Sequence, residues 1–317
     1  MSVRSSKAKQ YLIALAKLLV VGAAFYFIYD RVANNEQLDW ARLAEELGKQ
    51  QSARYIALVI VLTVLNRFFE ILKWQNLVGY LQPLSLGAAA AQVLAAVTAA
   101  IFTPNGLGEY AAKALYYRKD QAKTIVFLNL ICNGVQLIIA VVAGLAGLVA
   151  FNYLYGVIPN RIVLIAILAL AALVLLIFLS RKITIKGYSV KTLAEKVNEL
   201  PAAIHRRNNI LALLRYFAII HQHYFIFLAF GVDVPYHIMI SAVAAVYFIG
   251  SSLPTFQFLD FAVRGSIAVL FFGEIGVNEW IVVFAATLQW LLNIVLPVTI
   301  GSYFVFTYKP QMRNTAA

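Results

Sequence analysis

Charged residues and cysteines are scarce in this chain of 317 residues. Only 13% of the residues are Asp, Glu, Lys or Arg and 62% are apolar, whereas a soluble globular domain has about 25% charged residues. This composition excludes a disordered protein and an ordinary soluble enzyme, and it is typical of an integral membrane protein whose helices face lipid. The single cysteine, Cys132, excludes an intramolecular disulfide scaffold and a cysteine-based zinc cluster.

Long apolar runs predict an all-α, polytopic membrane protein. Six runs are long enough to cross a bilayer as helices, at about 11–29, 54–72, 124–150, 162–180, 209–229 and 280–307. Two further apolar runs, 85–102 and 237–253, lead into Pro104 and Pro254 and are followed by more apolar residues. Because proline removes a backbone donor, the chain is expected to break there. We therefore predict six full spans and two re-entrant helical hairpins.

Acidic residues are outnumbered by basic residues, 14 to 26, and the basic residues are unevenly distributed. If the N-terminus is cytoplasmic and both hairpins are re-entrant, the cytoplasmic segments carry 16 basic residues and the outer segments carry 5. This asymmetry follows the positive-inside rule and predicts that both termini lie in the cytoplasm. It also accounts for the net charge of +12 without nucleic acid, which we do not expect as a partner.

The segments after the two predicted breaks resemble each other. Residues 109–113 read EYAAK and residues 260–264 read DFAVR, so both run acid, aromatic, alanine, aliphatic, base. This similarity predicts one transmembrane domain, 1–317, with repeat A at about 54–150, repeat B at about 209–307 and a cytoplasmic loop at 181–208. Because the hairpins are predicted to enter from opposite sides, the repeats are inverted, as in many transporters that bind substrate between repeats.

Eight charged residues remain at membrane depth once the loops are assigned: Lys17, Arg67, Glu70, Glu109, Lys113, Arg215, Asp260 and Arg264. A charge at the centre of a membrane helix costs roughly 2.5–3.5 kcal/mol on insertion scales, so such residues usually face a partner or a cavity. We expect Arg215 to extend to the membrane interface, and Lys73 and Trp74 to anchor the end of their span there.

The two acid–base pairs have two possible roles. Glu109 and Lys113 are four residues apart, as are Asp260 and Arg264, so each pair shares one helix face. The pairs could be structural ion pairs that pin the hairpins. Alternatively they could face, together with Arg67, a shared polar cavity that holds an anionic group such as a lipid phosphate. No motif for a metal, a nucleotide or a catalytic triad is present in the sequence, so no cofactor is expected.

Residues 103–113, TPNGLGEYAAK, resemble the Pro-x-x-x-Gly-Glu-x-x-x-basic signature of the lysylphosphatidylglycerol synthase transmembrane family. This family is the flippase-like membrane region of the multiple peptide resistance factor. The resemblance implies a protein that moves or binds a lipid in the cytoplasmic (inner) membrane of a prokaryote. It assigns the motif positions to Pro104, Gly108, Glu109 and Lys113.

Two features depart from that family. Residues 254–260, PTFQFLD, stand where its second hairpin usually carries a glycine-rich stretch. No segment resembling its soluble aminoacyl-transferase domain follows the last span, so lysyl transfer to lipid is not expected of this chain.

The leading hypothesis is a lipid flippase or transporter that binds an anionic lipid head group between the hairpins and moves it between leaflets. The predicted substrate-binding residues are Arg67, Pro104, Gly108, Glu109, Lys113, Asp260 and Arg264. One alternative is a membrane enzyme acting on a lipid-linked intermediate, with Glu109 or Asp260 as general base. Another is an accessory partner of a separately encoded transferase, bound through the basic loop 181–208. A homo-oligomer is also compatible with the sequence.

Overall fold

The computed structural model describes residues 50–183 and 189–308, together with isolated positions nearer the N-terminus. The first predicted span, 11–29, lies outside this continuous part. Within it the chain is helical and contains no β-strand. The α-helices are α1 Gln50–Val78, α2 Leu86–Ala100, α3 Gly108–Ala114, α4 Ala122–Tyr155, α5 Asn160–Leu179, α6 Val190–Asn198, α7 Ala202–Ala229, α8 Tyr236–Ser252, α9 Asp260–Gly273, α10 Glu279–Trp290 and α11 Leu296–Thr307.

Five helical segments in the described part are long and apolar enough to cross a membrane. They are Ser52–Val78, Ala122–Tyr155, Asn160–Leu179, Ala202–Ala229 and Glu279–Thr307, the last formed by α10, a π-helical turn and α11. Each coincides with one of the predicted spans, so an all-helical membrane protein is confirmed at this level. Helices α2 and α8 are apolar but shorter.

Local capping sets several of the helix ends. Ser85 precedes α2 and its hydroxyl accepts a hydrogen bond from the Ala88 amide at 3.2 Å, while Asn278 caps α10 through the Trp280 amide at 3.2 Å. Gly156 ends α4 in the left-handed conformation, at φ 63°. These residues satisfy backbone groups that a helix terminus would otherwise leave unpaired.

The helices pack in a reciprocal arrangement. The long helices α1 and α7 lie against each other, α2 packs on α11, and α8 packs on α4. Helices α2 and α3 form the first interrupted pair, and α8 and α9 form the second; within each pair the two helices are in contact. The contact of α2 with α11 therefore corresponds to the contact of α8 with α4, with the two halves of the chain exchanged.

Glycines permit close helix contacts in both halves of the chain. A Cβ on Gly301 of α11 would overlap the Leu94 carbonyl oxygen of α2, and one on Gly144 of α4 would overlap Phe248 of α8. Without a side chain the backbones approach closely, which is how small residues support helix association in lipid. By contrast, α5 buries only Val163 and presents its apolar surface outwards, as expected for a helix that faces lipid.

Candidate functional site

The two breaks in the interrupted pairs meet at one point. Pro104 and Phe256 form an antiparallel bridge. Beside it the Asn105 amide donates to the Thr255 carbonyl at 2.8 Å, and the Thr255 amide donates to Asn105 Oδ1 at 3.2 Å. Gly106 follows at φ 68°, a left-handed conformation that favours glycine, and a Cβ there would meet the end of the Gln257 side chain. We call these contacting segments, 101–107 and 253–259, the two break segments.

A cavity of about 500 Å³ lies beside the break segments, bordered by both interrupted pairs and by α1, α4, α7 and α10. This volume is within the range of small-ligand sites in proteins. Six charged side chains line the cavity: Arg67, Glu70, Glu109, Arg215, Asp260 and Arg264. Tertiary packing therefore gathers charges from four helices around one space.

The first acid–base pair forms as predicted, but its lysine lies behind the cavity wall. Lys113 is fully buried and donates to Glu109 and to Asn129 Oδ1, the latter at 2.8 Å. Its Nζ atom also lies 4.3 Å from the centre of a Trp74 ring, a cation–π arrangement. Glu109 borders the cavity and Lys113 does not. Lys113 therefore holds the Glu109 carboxylate in position.

Trp74 is itself held by a buried amide. Its Nε1 donates to Gln92 Oε1 at 2.8 Å, and the Tyr117 hydroxyl donates to the same oxygen at 2.7 Å. Burial raises the pKa of Tyr117 to about 12, so this phenol is neutral and keeps its donor proton.

The prediction that Lys73 and Trp74 anchor the span at the interface is wrong, because helix packing fully buries both side chains.

The second acid–base pair also forms, and both of its members line the cavity. Arg264 Nε lies 2.8 Å from each Asp260 carboxylate oxygen, and Nη2 donates to Ser251 Oγ at 3.2 Å. The guanidinium carbon lies 4.6 Å from the centre of the Tyr247 ring. A Cβ on Gly250 would come within 2.8 Å of Arg264 Cγ, so this glycine makes room for the arginine.

A third group of charged residues lies around Glu70, and of its members only Arg67 was predicted to face the cavity. Glu70 pairs with Arg67 on its own helix and with Arg215 of α7, whose Nη2 lies 3.4 Å from the carboxylate. We call these three residues the Glu70 cluster. The prediction that Arg215 extends to the interface is wrong: its side chain is only 17% exposed, because α1 and α7 pack with their charged faces together. No spacing within α7 signals this contact, since Glu70 lies 145 positions earlier.

The π-helical turn Leu291–Val295 supports the Glu70 cluster from a third element. Arg67 Nη2 donates to the Asn293 carbonyl oxygen at 2.7 Å, and Asn66 Nδ2 donates to Asn293 Oδ1 at 2.6 Å. Asn66 Oδ1 in turn accepts from Arg215 Nε at 3.0 Å. Single π-turns within α-helices occur frequently at functional sites, because they expose backbone groups to new partners.

The remaining predicted residues shape the first break. Gly108 donates its amide proton to Thr103 Oγ1 at 2.8 Å, and a Cβ there would lie 3.0 Å from the Thr103 methyl carbon. Pro104 forms the bridge to Phe256. Neither residue lines the cavity. Of the seven predicted site residues, the structure thus brings Arg67, Glu109, Asp260 and Arg264 to the cavity, and it places Pro104, Gly108 and Lys113 in supporting positions.

The fold and the cavity together define a helical, polytopic membrane protein with a charged cavity bordered by two interrupted helix pairs. A comparison with protein-family models finds no match to this chain, and a comparison with curated proteins also finds none.

Proposed function

We propose that this protein is a lipid transporter that binds the phosphate head group of an anionic lipid in the cavity and moves it between leaflets. The observation that carries the proposal is an excess of positive charge. In the described part of the chain, three arginines and three carboxylates line the cavity, and two further buried lysines, Lys73 and Lys113, lie outside the lining and give the excess; the arginines are Arg67, Arg215 and Arg264, and the carboxylates are Glu70, Glu109 and Asp260.

The excess positive charge is concentrated around the Glu70 cluster. Glu109 and Asp260 each pair with one cation, whereas Glu70 serves both Arg67 and Arg215. Among the described residues, the nearby Lys73 donates to an amide oxygen, Gln136 Oε1, at 3.2 Å and forms no ion pair. A buried positive charge without a nearby carboxylate is energetically costly. An anion that binds here would therefore neutralise positive charge that no carboxylate of the described chain neutralises. Arginine is well suited to this role because its planar donors match phosphate oxygens.

The proposal includes an inverted-repeat topology with six full spans, two re-entrant hairpins and both termini in the cytoplasm of a prokaryote. The reciprocal packing supports it. Pro83 and Pro235 are 152 residues apart, and the same shift relates Thr63 to Arg215 and Glu70 to Gln222. The ion pair Arg215–Glu70 thus corresponds in position to the hydrogen bond between Gln222 and Thr63, which supports a pseudo-twofold relation. Transporters with such repeats bind substrate at the repeat interface.

Transport of a lipid fits the cavity better than catalysis. The cavity holds a head group, while acyl chains would remain among the exposed apolar faces of the helices. Both candidate general bases are ion-paired, Glu109 with Lys113 and Asp260 with Arg264, so the structure accounts for both carboxylates without a catalytic role. The resemblance of residues 103–113 to a flippase-like family agrees with this proposal.

A leaflet-resolved assay tests the proposed function. The native chain is reconstituted in liposomes with fluorescent phosphatidylglycerol, and movement between leaflets is followed by a membrane-impermeant quencher. Arg67→Gln is expected to slow movement at least about tenfold, the equivalent of 1.4 kcal/mol, because one phosphate-binding cation is lost. Glu70 keeps Arg215 as a partner in this variant, so no carboxylate becomes unpaired.

The controls separate binding from folding. Arg118→Gln removes an exposed arginine, 73% accessible, and should leave the rate unchanged. Arg67→Lys keeps the charge and should retain part of the rate. A native rate no faster than that of protein-free liposomes, or a native rate in Arg67→Gln, would overturn the proposal.

A further inference from the structure

The wall of the cavity is apolar along one side, where α4 meets the first break segment. Three leucines, Leu107, Leu130 and Leu137, line the cavity and are also 60%, 48% and 56% exposed on the surface of the protein. A residue that both lines a cavity and lies on the surface marks an opening. Within the described part of the chain, the cavity is therefore open at this edge, and the leucines form the rim of the opening.

Gly134 lies at the centre of this rim. Leu130, Gly134 and Leu137 are separated by four and three residues, so they share one face of α4. Gly134 lines the cavity, and a Cβ on it would meet nothing within 4 Å, so no described side chain fills the space above it. We call the surface formed by Leu107, Leu130, Gly134 and Leu137 the apolar mouth.

The apolar mouth lies well within the membrane-spanning helix α4. At 1.5 Å per residue, Gly134 is about 18 Å along the helix from Ala122 and about 32 Å from Tyr155. A position this far from both helix ends is expected to face the hydrocarbon of the bilayer rather than water. The opening is therefore suited to an apolar chain that arrives from the bilayer.

The corresponding face in the second half of the chain is closed. The shift of 152 residues that relates the two halves places Val282, Ala286 and Gln289 of α10 at the positions of the apolar mouth on α4. These residues line the same cavity, but Val282 and Gln289 are buried, and a Cβ on Gly265 of α9 would lie 3.5 Å from Ala286 Cβ. Helix α9 thus covers this face. Such a difference between halves is expected of a transporter in one of its two access states.

We infer that a phospholipid enters the cavity sideways through the apolar mouth, with an acyl chain across Gly134 and the phosphate among the arginines. This inference rests on the proposed function and names the surface that receives the apolar part of the substrate. Arg67 and Arg215 lie inside the cavity and are mostly buried, whereas the leucines stand at its edge. This order matches an anionic lipid, since a free phosphate ion would need no apolar edge.

Acyl-chain photolabelling tests the inference without requiring transport. The full chain is placed in phosphatidylcholine nanodiscs with a trace of phosphatidylglycerol or phosphatidylcholine that carries a diazirine on one acyl chain, and labelled peptides are identified by mass spectrometry. Phosphatidylglycerol should label residues 130–137 at least about tenfold more strongly, because the arginines hold its phosphate nearby. Helix α5 is the internal control: it buries only Val163, so both lipids should label it equally.

One substitution fills the apolar mouth without displacing described protein atoms. Gly134→Trp places an indole ring in the open space, so it should abolish the preference for phosphatidylglycerol at 130–137 and slow phosphatidylglycerol movement at least about tenfold. Val142→Trp adds the same ring at an exposed position of α4 outside the cavity lining and should leave both measurements as in the native chain. Equal thermal unfolding of the two variants shows that both are folded.

The outcomes separate this inference from the proposed function. Equal labelling of 130–137 by the two lipids, or a preference found on α9 and α10 instead, overturns entry through the apolar mouth, while phosphatidylglycerol movement by the native chain still upholds lipid transport. Movement at the native rate in Gly134→Trp also overturns it. Selective labelling of 130–137 in a native chain that moves no lipid supports the apolar mouth and contradicts the proposed transport instead.

Discussion

Glu70 carries more of the buried charge balance than any other carboxylate at the cavity. It is 5% exposed and pairs with two arginines from different helices, whereas Glu109 and Asp260 each pair with one cation on their own helix. Removing one partner of a buried pair leaves an uncompensated charge, which costs more than the pair contributes. The Glu70 cluster is therefore both a structural contact between α1 and α7 and the most cationic part of the cavity.

Glu70→Gln should destabilise the protein by about 3 kcal/mol, because Arg67 and Arg215 then repel each other in a buried environment without a carboxylate. The measurement is the free energy of unfolding in mixed micelles. Glu195→Gln is the matched control: this glutamate is 59% exposed and faces Lys191 at 3.6 Å, so the expected change is below about 0.5 kcal/mol. Equal changes in the free energy of unfolding of the two variants would show that the buried ion pairs of Glu70 stabilise the protein no more than an exposed ion pair does.

Residue spacing predicts contacts within a helix but not between helices. The pairs Glu109–Lys113 and Asp260–Arg264 follow from a separation of four residues, and both are present. Arg215 and Lys73 could not be placed in the same way, because their partners lie on other helices. The sequence indicates that a charged residue lies at membrane depth, whereas the packing of the helices determines which residues that charge contacts.

At the scale of elements, glycines determine how closely the two halves approach. Gly301 places α11 against the backbone of α2, while Gly144 and Gly147 place α4 against α8. The two contacts are counterparts in the reciprocal arrangement. Helices α2 and α8 thereby bring the break segments that follow them to one point beside the cavity.

Gly301→Ala should destabilise the protein by about 1–3 kcal/mol, because the added methyl group overlaps the Leu94 carbonyl and forces α2 and α11 apart. Unfolding in mixed micelles measures the effect. In Gly134→Ala the methyl group meets open space on α4, so stability should stay the same or rise by up to about 1 kcal/mol through higher helix propensity. If Gly301→Ala behaved like Gly134→Ala, close packing of α2 on α11 would not matter for stability.

At the scale of the whole molecule, the contact between the break segments closes one side of the cavity. Asn105 and Thr255 exchange hydrogen bonds across this contact although they lie 150 residues apart. A transporter that works by relative movement of its repeats must rearrange such a contact during each cycle. The break segments are therefore the expected place where movement can be blocked.

A disulfide between Asn105→Cys and Thr255→Cys should stop lipid movement. Asn105 and Thr255 lie next to the Pro104–Phe256 bridge, and the hydrogen bond from the Asn105 amide to the Thr255 carbonyl keeps their backbones close enough for a disulfide to be tested. The background is Cys132→Ser, which removes the buried native thiol. The oxidised double variant should move fluorescent phosphatidylglycerol at least about tenfold more slowly than its reduced form. Each single-cysteine variant should be insensitive to the oxidant; full activity of the cross-linked protein would show that the break segments do not separate during transport.

The amino-acid sequence by itself determined the helical membrane class, the five described spans, the two breaks and the acid–base pairs, because hydrophobic length, proline and helical spacing act locally. Tertiary structure alone decided that the two break segments meet, that Arg215 joins Glu70, and that Lys113 stands behind the cavity wall. These contacts join residues far apart in the chain, and their geometry depends on the close approach of helices at glycines, which no local pattern specifies.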